Sequence, residues 1–262
     1  MGLSHLSSAM RRDTASGTPI PTVWKSLTKA TAVFRRGSLV LVGAGSGTGK
    51  SAFMLTKAIK SGAKTVYHTA DSRFSTQTAR AASIVTGRPV AETLKAVEQG
   101  YYFDKELACI SQIRFDDDAG PSPEYVAGNA DLYAYLHGEY PELIIVDNLM
   151  DVVSDDGEEG SNNTDKRILQ YFKELASDTN ACVVVLQHLL GDYDDGTKPP
   201  PLSALINKNS KSPAMVLTLY RSDVDRLGVC IVKNRDGEAN ASGSLRVDLA
   251  MDLSFMSIKD LD

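Results

Sequence analysis

The sequence predicts an α/β fold: a mostly parallel central sheet flanked by helices, with antiparallel strands added at its C-terminal end. Three observations carry this. An all-apolar run, Leu39-Val40-Leu41-Val42, leads through a glycine-rich loop into a helix-forming stretch. Strand-like and helix-like stretches then alternate as far as residue 186. Three further strand-like runs follow with no helix between them. A run that is apolar at every position suits a strand buried on both faces of a parallel sheet. Strand and helix in alternation are the pattern of parallel crossovers.

The elements follow in order. Residues 1–20 are rich in Ser, Thr, Gly and Arg without periodicity and read as a flexible arm, so the folded domain spans 21–262. After the first strand, residues 51–61 form a helix that Gly62 terminates. Residues 65–70 are the next strand, Asp71 ends it, and 75–86 are helical up to the Gly87-Arg88-Pro89 breaker. A helix over 90–99 leads to Tyr101-Tyr102-Phe103, and residues 124–137 are helical. Leu143 to Val146 form another continuous apolar run, 166–178 are helical, and 181–186 are the fifth strand candidate. Residues 191–212 hold Pro199-Pro200-Pro201 amid Asp, Lys and Asn and read as a long surface loop, of the kind that usually serves function. Strands at 214–220, 227–233 and 245–249 complete the chain, the last two joined by a loop rich in Gly, Asn and Asp.

With 262 residues and 42% apolar content, the chain can bury one sizeable core and has no room for a second full domain. Its 28 basic and 33 acidic groups give a net charge of -5, which excludes wholesale coating of a polyanion and leaves a local basic channel open. No apolar run is long enough to span a bilayer, and residues 1–12 lack the apolar segment of a secretory signal, so a cytoplasmic protein is expected. Cys109, Cys182 and Cys230 show no metal spacing, and the last two lie in apolar strands, as reduced core thiols do.

The chemistry concentrates between residues 43 and 51. Ala44-Gly45-Ser46-Gly47-Thr48-Gly49-Lys50-Ser51 has the spacing of a phosphate-binding loop, with Ala44 where the common pattern writes Gly. Glycines let successive backbone N–H groups converge on phosphate oxygens, and the following helix turns its positive end to the same anion. In such a loop Lys50 neutralises β/γ-phosphate charge and the Ser51 hydroxyl takes a Mg²⁺ position, so Mg·ATP is the expected cofactor. A flexible Gly/Ser linker would not sit between an apolar strand and a helix.

A second carboxylate must hold Mg²⁺ from the tip of a neighbouring buried strand. Asp147, at the end of Leu143-Ile144-Ile145-Val146, has that form, the alternative being an Asp that caps a turn. The position after it is Asn148, so a base for water must come from elsewhere. Asp71 ends its strand at the sheet edge where ligands collect, and its alternative role is to cap the helix near residue 75. Gln187 follows Val183-Val184-Val185-Leu186, so its amide is expected at that edge as a sensor of γ-phosphate; His188 is the other candidate.

Taken in order, Ile20-Pro21-Thr22, Leu27-Thr28, Arg35-Arg36-Gly37-Ser38, the 43–51 loop, Asp71, residues 143–149, 183–187 and Lys233-Asn234-Arg235-Asp236-Gly237 resemble the RecA-like motor domain of DnaB-type replicative helicases and related phage ATPases. The resemblance implies a RecA-like P-loop NTPase in which Lys50, Ser51 and Asp147 hold Mg·ATP and Asp71, where the family carries Glu, is the general base. It also implies that Lys233 and Arg235 reach the γ-phosphate bound on a neighbouring subunit, so a homo-oligomeric ring, read as a hexamer, is expected.

The leading functional expectation is an ATP-dependent motor on single-stranded DNA, with Lys208 and Lys211 of the 191–212 loop facing the nucleic acid and a replication or recombination protein as a further partner. Two other classes fit the same motifs: a recombinase-like filament ATPase on single strands, and a regulatory or loader ATPase acting on a protein. The acidic run Asp155-Asp156-Gly157-Glu158-Glu159 suits the last.

Overall fold

In a computed structural model, residues 17–70, 72–153, 162–189 and 191–261 are described. Asp71 and residues 155–159 lie outside them, as does the side chain of Lys208. Among the described residues one sheet of nine strands runs in the order β3-β2-β4-β5-β1-β6-β7-β8-β9. The strands are β1 (Leu39–Ala44), β2 (Thr65–Thr69), β3 (Ile113–Asp116), β4 (Leu143–Asp147), β5 (Cys182–His188), β6 (Met215–Asp223), β7 (Arg226–Asn234), β8 (Arg246–Asp252) and β9 (Ser257–Asp260). The first six are mutually parallel and the last four form an antiparallel meander, as expected for the fold class.

Two of these strands, β3 and β9, have no counterpart among the sequence expectations. At the β3 edge, apolar residues occupy only Ile113 and Phe115, and the partner strand supplies what periodicity does not: Asp116 pairs in register with His68 of β2. His68 Nδ1 and Asp116 Oδ1 lie 3.4 Å apart, and this bond, ahead of the other influences, holds the Asp116 carboxyl down at about 2. β9 is four residues long and depends on distant partners. The Trp24 indole N–H donates to Ile258 O, and Asp260 accepts the backbone N–H groups of Lys25 and Ser26, which begin the short helix α1 (Lys25–Lys29).

The pleat divides the core in two. Val40, Val42, Val184, Leu186 and Ile145 point to one face and pack with Phe53, Met54 and Leu55 of α2 (Lys50–Ser61). Leu41, Ile144, Val146, Val183 and Val185 point to the other, against Phe172 of α7 (Asn162–Thr179). On the first face lies α3 (Phe74–Thr86), followed by α4 (Val90–Glu98) and α5 (Asp104–Leu107); α6 (Pro123–His137) packs beside α7. Gly62 ends α2 in the left-handed region at φ 69°, as its place in the sequence suggests.

Residues 17–20, assigned to the arm, instead belong to the fold: Pro19 bridges to Arg35, and Ile20 is buried and donates its N–H to Phe34 O. This segment clamps the phosphate-loop helix. Trp24 stacks on Phe53 with ring centroids 4.3 Å apart, and Lys57 donates to Pro21 O while lying 5.0 Å from the Phe34 ring centre. Burial lowers the Lys57 ammonium from 10.5 to about 8.

Two measurements test this packing. Lys57 holds its proton more weakly folded than unfolded, so its contribution makes stability rise with pH between about 8 and 10.5. In urea titrations at several pH values, Lys57→Met should flatten that rise by up to about 3 kcal/mol. The thiols give the second. Burial pushes Cys182 up to about 12 and Cys230 up to about 11, whereas Cys109 is exposed. Ellman's reagent should therefore modify Cys109 alone in the native protein, and all three cysteines after denaturation.

Candidate functional site

At the C-terminal end of β1 the chain turns through residues 45–49 into α2. Gly47 (φ 65°) and Gly49 (φ 108°) take conformations that side chains oppose, and these bring the backbone N–H groups round toward one point at the helix start. Gly45 serves differently. A Cβ there would run into Asp194 O and lie 2.7 Å from Tyr193 O, because residues 191–196 pack directly on the loop. That segment is held by Arg221, whose N–H donates to Gly196 O while its guanidinium donates to Gly47 O at 2.8 Å. The 191–212 connection is thus packed against the protein, with short turns at Gly191–Tyr193, Leu202–Ala204 and Ile206–Lys208, where the sequence suggests a surface loop. Leu205 is buried, and Asn207 and Asn209 donate to Asp165 at the start of α7.

A cleft of about 380 Å³ opens over the loop. Gly45, Gly47, Thr48, Gly49, Lys50 and Ser51 line one side, with Asp147, His188 and Arg80 nearby and Val90, Leu253 and Met256 beyond. Backbone N–H groups, a helix N-terminus and a buried Lys suit an anion, and the apolar wall offers a face to a flat ring. The Thr48 hydroxyl is buried with no partner among the described residues, an acceptor and donor left for a ligand. No group of three or more metal-ligating side chains occurs among the described residues. Ser51 and Asp147 instead offer hard oxygen donors beside the anion site, which fits a Mg²⁺ held partly by phosphate and water.

Asp147 does not come from the strand next to β1, as expected; β5 lies between β1 and β4. Two strand spacings, roughly 10 Å, therefore separate β1, which leads into the phosphate loop, from β4, which carries Asp147. The Asp147 carboxylate still reaches the cleft because its side chain shares the α2 face with Ile145. Tyr67 Oη donates to its Oδ2 at 3.1 Å, and the Ala70 N–H donates to Asp147 O, so the residue before Asp71 is fixed beside Asp147. Asn148 caps a turn through Met150 N, with Asp151 reaching back to its own N–H.

Gln187 is absent from the cleft lining. Its Nε2 donates to Ile206 O, its Oε1 is buried without a partner among the described residues, and it lies on the α7 face. The pleat is the reason: Gln187 follows the parity of Val183 and Val185, whereas His188 follows Val184 and Leu186 and lines the cleft. That parity is present in the sequence and points to His188.

Lys233 and Arg235 stand at the opposite sheet edge. β6 begins beside Val40, so the end of β7 that pairs with Met215 and Val216 is level with Val40 and Leu41, in the first half of β1. Lys233 donates to Ser210 O, Lys211 O and Pro213 O at 2.5, 3.3 and 2.6 Å, and Arg235 donates to Lys211 O at 2.9 Å. Burial, then Arg235 and Lys173, lower the Lys233 ammonium. Lys233 is level with Leu41, roughly 10 Å of strand before the end of β1 and two strand spacings, roughly 10 Å, to its side, and Arg235 lies further back. Lys211 is exposed, and its carbonyl is its described link to the pair.

Sequence reasoning missed Arg80, Arg221, Tyr67 and the apolar wall. Arg221 had a usable signal, since it directly follows a strand expected to lie in the sheet; the wall joins residues 90, 253 and 256 and had none.

Residues 6–190 match the family model described as an AAA domain. This chain belongs to that family of AAA domains. The AAA chain is also 37% identical over 254 residues to the gene 65 protein of Mycobacterium phage L5, with 94% of each covered. It is 36% identical over 232 residues to the gene 65 protein of Mycobacterium phage D29, covering 86% of this chain and all of the relative. Among solved structures it is similar to a DnaB-like replicative helicase studied with its primase interactions, at a TM-score of 0.81 and 19% identity. That match covers 98% of the AAA chain, which spans 65% of the helicase's length. A second solved structure, described as an ATPase domain, gives a TM-score of 0.79 at 20% identity, covering 98% of the AAA chain and 96% of its own length. The fold is therefore that of RecA-like helicase ATPase domains.

Gly45 and Gly47 separate steric from conformational demands. Gly45→Ala meets backbone on arrival and should cost about 1–3 kcal/mol in urea unfolding. Gly47→Ala meets nothing within 4 Å and should cost about 1 kcal/mol through its left-handed φ. Both should weaken nucleotide binding measured by fluorescence titration.

Proposed function

We propose that this protein is an ATP-driven motor on single-stranded DNA that hydrolyses Mg·ATP at the interfaces of a homo-oligomeric ring, a hexamer in the reading favoured here. The observation that carries it is the division of charge between the two sheet edges. Lys50, Ser51 and Asp147 share one cleft, while Lys233 and Arg235 stand at the far edge. A cation pair held on the 210–213 carbonyls toward the other end of the strands is suited to a neighbour's site rather than its own. Membership of the AAA family supports the ATPase activity, and likeness in fold to a helicase domain supports the choice of motor.

In this reading the loop amides and Lys50 bind the triphosphate, Thr48 adds a hydroxyl, and Val90, Leu253 and Met256 take the base. Ser51 and Asp147 hold Mg²⁺, which supplies charge neutralisation at the phosphoryl oxygens. Asp71 takes the proton from water as the water oxygen bonds to the γ-phosphorus and the bond to the β-phosphate oxygen breaks, releasing ADP and inorganic phosphate. His188 replaces Gln187 as the side chain facing the γ-phosphate. Lys208 and Lys211, tied through the 205–211 segment to α7, contact DNA, and the 210–213 carbonyls join that contact to the Lys233 and Arg235 pair.

The test is subunit mixing. Lys50→Ala and Arg235→Ala should each lower turnover by at least about 100-fold, the first by losing the bound phosphate and the second by losing the cation from its neighbour. Mixing the two should restore part of the activity, since interfaces that pair an intact Lys50 with an intact Arg235 form again. Single-stranded DNA should stimulate the wild-type rate, and a forked duplex should be unwound. Unchanged turnover with DNA at low salt would instead favour an ATPase whose partner is a protein.

A further inference from the structure

We propose that Tyr67 is a positioning residue for the cation: its hydroxyl holds Oδ2 of Asp147 so that the other carboxylate oxygen is presented to the metal beside Ser51. The inference rests on the assignment of Asp147 to metal binding.

The geometry begins with the strands. Tyr67 is in register with Ile145, and Thr69 with Asp147, so the phenol runs two residues along the sheet toward the ligand edge to meet the carboxylate. Both side chains lie on the α2 face. The ring is fully buried and packs against Phe115 at 5.7 Å between centroids, which leaves the hydroxyl little freedom to choose another partner. Its one described hydrogen bond is the 3.1 Å contact to Asp147 Oδ2.

An aspartate carboxylate turns readily about its last torsion. Bound to a fixed donor through one oxygen, it offers the other in a set direction, as outer partners of metal ligands do. Asp147 is 6% exposed, so little water competes for that bond. A phenylalanine would fill the same space in the core. The hydroxyl adds only the bond to Asp147, which is why its contribution is read at the metal.

The experiment compares wild type, Tyr67→Phe and Asp147→Asn. Mn²⁺ binding to each protein with a nonhydrolysable ATP analogue is followed by the electron paramagnetic resonance of free Mn²⁺, and analogue binding is measured separately in EDTA. Tyr67→Phe should weaken Mn²⁺ binding on the order of tenfold and leave metal-free analogue binding unchanged. Asp147→Asn should abolish the tight Mn²⁺ site. If Asp147→Asn does so and Tyr67→Phe binds Mn²⁺ as wild type does, the positioning role is overturned and the metal assignment stands. If neither change affects Mn²⁺, the metal assignment falls first. A Tyr67→Phe protein that fails to fold, or that loses metal-bound and metal-free nucleotide equally, assigns the hydroxyl to the fold and overturns the proposal.

Discussion

Everything at the cleft depends on parallel strands that stop at one edge with their pleats in phase. β1, β2, β4 and β5 end there together, and their alternation sends Asp147 and His188 to the face where α2 begins. A shift of one residue in any of them would exchange its faces, and in β4 it would put the Asp147 carboxylate into the α7 side of the core. The apolar runs in these strands serve register as much as burial.

The same edge explains why so few polar side chains line the site. Most of the anion-binding capacity lies in backbone N–H groups that α2 leaves without partners in its first turn, and only conformation is needed to aim them. Glycine does this in two ways. Gly47 and Gly49 supply backbone angles, whereas Gly45 supplies space for residues 193 and 194. The connection after β5 thereby touches the phosphate loop near its start and the Lys233 and Arg235 pair near its end.

Two segments far apart in sequence close on the phosphate-loop helix together. The segment at 17–36 packs on α2 through the Trp24–Phe53 stack and the Lys57 bond to Pro21 O, and strand β9 is tied to that segment through Trp24 and Asp260. Lys57 is the costly member of this clamp, a cation taken out of water for one carbonyl and a ring face.

The sequence by itself determined the fold class, the phosphate loop and the strand that ends in Asp147. Each is a local pattern: an all-apolar strand, glycines at fixed offsets, a carboxylate after four aliphatic residues. It also held the parity that separates His188 from Gln187, although a reading by strand end alone passes over it. Tertiary structure decided what no local pattern carries. The insertion of β5 between β1 and β4 follows from how helices cross the sheet, and β3 and β9 exist because distant strands and Trp24 give them partners. The apolar wall gathers residues 90, 253 and 256, the first more than 160 positions from the others, and only burial against one cleft makes them a site. The bond from Tyr67 to Asp147 belongs with these, since eighty residues separate its ends and only the pairing of β2 with β4 brings them together.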